Sequence, residues 1–157
     1  MKISDAIALG IECPVEMSPE SCAWGFLDNK CPTFTFCGFA NGPGAVIEAR
    51  ELPGSRFLIL ETPCFMEGLE EVYMGEVVTA VRERENVLRV TEICRPLRLA
   101  HYSVSDSPRG TPLHDLVTSL DGEWESHFNG MICHVHIPLE HTAVFEAQAK
   151  VKWERLA

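Results

Sequence analysis

The sequence predicts an α+β fold: a mostly antiparallel, strongly curled β-sheet, close to a partial barrel, with two or three short helices. Three observations predict it. Apolar residues recur at spacing two over several short stretches, as pleated strands require. Gly, Pro and Asn turn signals separate those stretches. No long helical pattern lies between them, so parallel crossovers lack a connector. The 157 residues suit one domain, 1–157, and a chain of that length can bury a sizeable core without a disulfide or metal staple.

The elements follow in order. Ser4 is placed to cap a short helix expected over 5–9, with Gly10 just past its end. Ser18-Pro19-Glu20 reads as a cap, a first-turn proline and a first-turn acid, starting a helix over 19–28. From 33 the period becomes two. Thr33–Cys37, 45–50 and 57–60 form a three-strand meander, turned at Asn41-Gly42-Pro43-Gly44 and Pro53-Gly54. Within the second strand Ala45, Ile47 and Ala49 share a face, and Glu51 breaks it.

Leu69, Val72, Tyr73 and Val77 match a helical stripe, but Gly75 and the β-branched run Val77-Val78-Thr79 oppose one. The balance is a helical turn near 66–73 and a strand over 76–84. Glu85-Asn86 then turns into a strand over 87–94. In that register Arg82 faces Arg89, and Val77, Thr79 and Val81 share a face with Leu88, Val90 and Cys94. Residues 103–111 read as loop, Thr111-Pro112 starts a helix over 112–120, and 131–137 is a strand closed by Pro138. Phe145, Ala147, Ala149, Val151 and Trp153 alternate with polar residues, which predicts a long amphipathic strand.

Charge excludes some partners. Thirteen Lys+Arg against 23 Asp+Glu leave a net of −10, unsuited to a nucleic-acid backbone. Residues 1–81 hold 12 of those acids and 4 bases. No apolar run reaches the ~18 residues of a membrane span, and the N-terminus lacks the long apolar core of a signal peptide. The expectation is a cytoplasmic homo-oligomer with no nucleic-acid or membrane partner and with its seven cysteines as free thiols. Cys13, Cys22, Cys31 and Cys37 contain no Cys-x-x-Cys pair, the usual announcement of structural zinc.

Three groups carry candidate chemistry. His134-Val135-His136 places two imidazoles on one face of a strand. Such a pair suits a divalent transition metal such as zinc. His141 is the third candidate ligand, with Glu140, His127 or His101 as alternatives. Three protein ligands and an open position let bound water ionise near neutral pH. The second is the arginine pair Arg82 and Arg89, a fork for a carboxylate or phosphate. The third is the aromatic set Trp24, Phe26, Phe34, Phe36 and Phe39, the kind of apolar wall that lines a ligand pocket. Tyr73-Met74-Gly75-Glu76-Val77-Val78 resembles a strand of flavin-reductase-type split barrels; the likeness covers those few residues and implies no flavin site.

The chain contains neither a Gly-x-Ser-x-Gly elbow nor a Gly-x-x-x-x-Gly-Lys phosphate loop. The first expectation for function is therefore a soluble protein that binds a small molecule or anion, without a demonstrated catalytic motif. The alternatives are a metal-dependent hydrolase or lyase centred on His134, His136 and His141, and a protein-interaction module that uses the Phe145–Trp153 face.

Overall fold

A computed structural model describes residues 33–157. Trp24, the two helices expected before residue 30, and Cys13, Cys22 and Cys31 lie outside the described residues. Mostly antiparallel sheets with few helices make up the described residues. No helix among the described residues is long and apolar enough to cross a membrane. Contacts divide the described residues into two compact units, 33–96 and Leu97–Ala157.

The first unit is a ring of five strands: β1 (Thr33–Cys37), β2 (Gly44–Leu52), β3 (Arg56–Ile59), β4 (Val77–Arg84) and β5 (Val87–Cys94). Successive strands pair antiparallel, and a parallel pairing of β1 with β5 closes the ring. Its interior is Phe36, Ile47, Ala49, Phe57, Ile59, Val78, Ala80 and Leu88, all buried. Phe34 and Phe36 both pack against Phe57, at 5.2 and 5.4 Å between ring centroids. Asn41, Ser55 and Asn86 take positive φ at the hairpin turns, the conformation tight hairpins need. Gly38 and Gly68 meet backbone to backbone; a Cβ on Gly38 would lie 2.3 Å from the Gly68 carbonyl carbon.

The structure corrects several expectations in this unit. Residues 66–73 form successive tight turns rather than a helical turn, with Leu69 N–H donating to Met66 O and Val72 N–H to Leu69 O. The strand expected over 76–84 begins at Val77, so of the 73–78 stretch that resembles a split-barrel strand only Val77 and Val78 are extended. The β4–β5 hairpin carries register shifts at Thr79/Ala80 and Arg82/Arg84. Each extra residue reverses which side chains face inward. Arg82 therefore faces Leu88, and Arg89 faces Val81. Ala80, not Val81, joins the core, and no arginine opposes another across the hairpin.

The second unit is a four-stranded sheet in the order β7-β8-β6-β9. Its strands are β6 (Leu99–Val104), β7 (Glu123–His127), β8 (Ile132–Pro138) and β9 (Trp153–Arg155). Helix α1 (Pro112–Ser119) begins at the expected Thr111-Pro112. One sheet face is apolar: Ala100, Tyr102, Val104, Cys133, Val135 and Ile137 pack against Leu113 and Val117 of α1 and against Phe145.

Phe145 belongs to helix α2 (Thr142–Gln148), which follows a 3-10 turn at Leu139–His141. The long strand expected over 144–153 is thus overturned; only Trp153–Arg155 is extended. Two of the five alternating positions, Ala147 and Ala149, are alanines, which also favour helix. Burial decides it: Phe145 is buried, Ala147 exposed and Ala149 half-buried, a helical i, i+4 pattern. Phe145 packs on Tyr102 with ring centroids 4.8 Å apart, and Tyr102 donates its hydroxyl to Glu146 Oε1 at 2.8 Å. These two contacts fix α2 on the sheet.

Candidate functional site

The other face of the C-terminal sheet is polar. Residues directly opposite in an antiparallel pair point to the same side. His101 of β6, His136 of β8 and Glu123 of β7 therefore form one cross-strand row. Ser103, His134 and Glu125 form the next. His127, two residues beyond Glu125, completes the set. His101, Glu125, His134 and His136 are all buried, His136 completely. Burying so many polar groups costs stability unless they satisfy one another.

Three of them, His101, His136 and Glu125, do so in a chain that starts at Glu125. Its Oε2 lies 2.7 Å from His136 Nε2, and its Oε1 lies 3.0 Å from His127 Nε2, in a contact bent away from a straight N–H···O line. On its other side, His136 Nδ1 is 2.8 Å from His101 Nδ1. One of those two nitrogens must carry the proton and the other accept it. With Nε2–H of His136 donated to the carboxylate, a neutral His136 accepts from His101, while a protonated His136 donates to it. One geometry thus accommodates two proton positions. Both ring nitrogens of His136 are engaged in this chain.

His134 stands beside the chain, with its ring centroid 6.4 Å from His136 and 5.7 Å from His127. Burial holds its pKa down, to about 4, against the opposing pull of the Glu125 charge. Its ring is therefore neutral at physiological pH, the state a metal ligand must have. A ring nitrogen of His134 lies within 4.8 Å of one on His127. Burial also raises the Glu123 carboxyl above the usual carboxylate range.

The structure brings His134 and His136 together on one strand face, as the spacing predicts, and adds His127 from β7. It places His141 elsewhere. That residue sits in the 3-10 turn leading into α2, which covers the apolar face, and its Nε2 approaches Glu140 at 4.0 Å. Glu123 and Glu125 were not singled out from the sequence. The signal was present: Glu123, Glu125 and His127 recur at spacing two, the same polar-face pattern as His134 and His136.

The expected pocket residues separate. Phe34 and Arg82 line one cavity of about 310 Å³ at the end of the ring where β1, β3 and β5 begin, with Phe57, Leu88 and Glu51 beside them. Phe36 lies deeper, in the ring's core. Arg89 points away and donates its Nε–H to Glu83 Oε2 at 2.9 Å. That bond, foremost, holds the Glu83 carboxyl below its ordinary range. Trp24 lies outside the described residues.

No protein-family model matches the chain, and no curated protein matches it. A solved structure of a hypothetical protein from Neisseria gonorrhoeae is similar at 13% identity, with a TM-score of 0.49 over 80% of this chain and 92% of that one. At that level of likeness the functional reading rests on this chain's own residues.

Proposed function

We propose that this protein binds a divalent transition metal, zinc foremost, on the histidine face of its C-terminal sheet. His127 and His134 are the ligands, and Glu125 positions both His127 and His136. The observation that carries this is the pairing of two imidazoles from adjacent strands, with ligand nitrogens no more than 4.8 Å apart. Metal–nitrogen bonds of ~2.0–2.1 Å set tetrahedral ligands about 3.3 Å apart, so modest ring rotation closes the gap. Imidazole suits zinc, copper, iron and nickel better than calcium or magnesium. A carboxylate behind a ligating histidine orients the ring and raises its basicity, and Glu125 is placed to do this for His127.

This revises the trio His134, His136 and His141. His134 remains a ligand, His136 becomes part of the hydrogen-bonded support, and His141 drops out. A histidine-bound ion that keeps a water position lowers the pKa of that water to near 7, which favours hydrolytic or lyase chemistry as the reaction class.

The test loads chelator-treated protein with Zn²⁺, dialyses it and measures bound metal per chain. The expected result is one ion per chain in wild type and in His141→Ala, and substoichiometric metal in His127→Ala and His134→Ala. Equal retention in all four proteins, or no stoichiometric uptake by wild type, overturns the proposal.

A further inference from the structure

The mouth of the five-stranded ring holds two charges that the described residues leave unpaired. Glu51 pairs with Phe57 across β2–β3, and Arg82 pairs with Leu88 across β4–β5. Directly paired residues share a face, and Phe57 and Leu88 belong to the ring's core. Glu51 and Arg82 therefore occupy inward-facing positions at the strand ends, where an apolar residue would otherwise cap the core. This explains why Glu51 interrupts the apolar row of Ala45, Ile47 and Ala49. The two side chains line the same cavity of about 310 Å³, whose apolar wall is Phe34, Phe57 and Leu88.

Neither charge has a hydrogen-bond or ion-pair partner among the described residues. Arg89, Arg95 and Arg155 are each satisfied by a glutamate, whereas Arg82 is not, and Glu51 and Arg82 do not pair with each other. The cavity sits at the low end of the ~300–1,000 Å³ typical of small-molecule sites, which favour the mouths of curled sheets. A guanidinium takes a carboxylate through a two-pronged bond. A carboxylate takes an ammonium, and aromatic edges take an apolar body.

We infer that the ring mouth binds a small zwitterion with an apolar body, of the class of aromatic or branched α-amino acids. Arg82 receives the ligand's carboxylate, Glu51 its ammonium, and Phe34, Phe57 and Leu88 its side chain. The opposed charges select against ligands that carry only one of them: a lone carboxylate meets Glu51, and a lone amine meets Arg82. This site lies wholly within residues 33–96 and does not depend on metal binding by the C-terminal sheet.

The experiment is a calorimetric titration of the full chain, treated with chelator, with L-phenylalanine and with L-leucine. 3-Phenylpropanoate and 2-phenylethylamine serve as single-charge probes. At least one amino acid is expected to bind, and each single-charge probe to bind at least about ten-fold more weakly, the loss of one charge-assisted contact. Arg82→Gln and Glu51→Gln should each weaken the amino acid by a similar factor. Both residues are exposed, so both variants should keep the wild-type unfolding midpoint within experimental error. An Arg89→Gln control should bind as wild type does. Failure of both amino acids to bind at millimolar concentration overturns the inference. So does equal binding of the single-charge probes, or unchanged affinity in Arg82→Gln and Glu51→Gln.

Discussion

Acidifying the metal-free protein from pH 7 to pH 4 should destabilise it through His134, and His134→Gln should remove that loss. In the native state burial holds the His134 pKa down, from an ordinary 6.5 to about 4. Between those values the unfolded chain takes up a proton that the folded chain refuses. The contribution of a neutral His134 is therefore complete above pH 6.5, falls as the pH drops towards 4, and levels off below. A shift of that size corresponds to about 3 kcal/mol, a large fraction of the ~5–15 kcal/mol that stabilises a typical domain. Glu123 acts in the opposite direction, because burial raises its pKa and so favours the native state on acidification. It is present in both proteins and cancels in the comparison. Urea unfolding of wild type and His134→Gln at half-unit intervals from pH 7 to 4 measures the difference. Wild type should lose about 3 kcal/mol more than the variant over that range. Parallel pH profiles would refute the argument that burial keeps this ring neutral.

Three further outcomes follow from packing and hydrogen bonding. Gly38→Ala drives a methyl into the Gly68 backbone and should cost at least the ~1–3 kcal/mol of an overpacked core, read as a lowered urea midpoint. Phe145→Ala empties the contact that seats α2 on Tyr102 and should cost about 3–5 kcal/mol by the same measurement. Glu125→Gln removes the carboxylate between His127 and His136. It should weaken Zn²⁺ roughly 10–100-fold in a competition titration, while uptake in His141→Ala stays at the wild-type level.

Local rules in the sequence located much of this fold. The meander, the β4–β5 strands, the start of α1 at Pro112 and the strand closed by Pro138 all follow from period-two alternation and turn chemistry. So does the shared face of His134 and His136. What the sequence did not disclose is non-local or one residue wide. The extra residue Thr91 inverts the pattern of β5, so Arg89 turns away from the ring, while Arg82, in line with the core residues Val78 and Ala80 on β4, turns towards its mouth. The segment 142–148 alternates largely through alanines, so packing of Phe145 against Tyr102, far off in sequence, decides in favour of helix. The histidine face requires β7 and β6 to pair on either side of β8. That pairing brings His127, Glu125 and His101 to His134 and His136 and leaves the sequence-adjacent His141 out.

Diffraction from crystals grown with stoichiometric Zn²⁺, recorded at the zinc absorption edge, tests the central claim most directly. The expected anomalous peak lies about 2.0–2.1 Å from a ring nitrogen of His127 and from one of His134, with the Glu125 carboxylate behind the His127 ring. A peak on His141 or at any position that touches neither His127 nor His134, or no peak at all, would contradict the account.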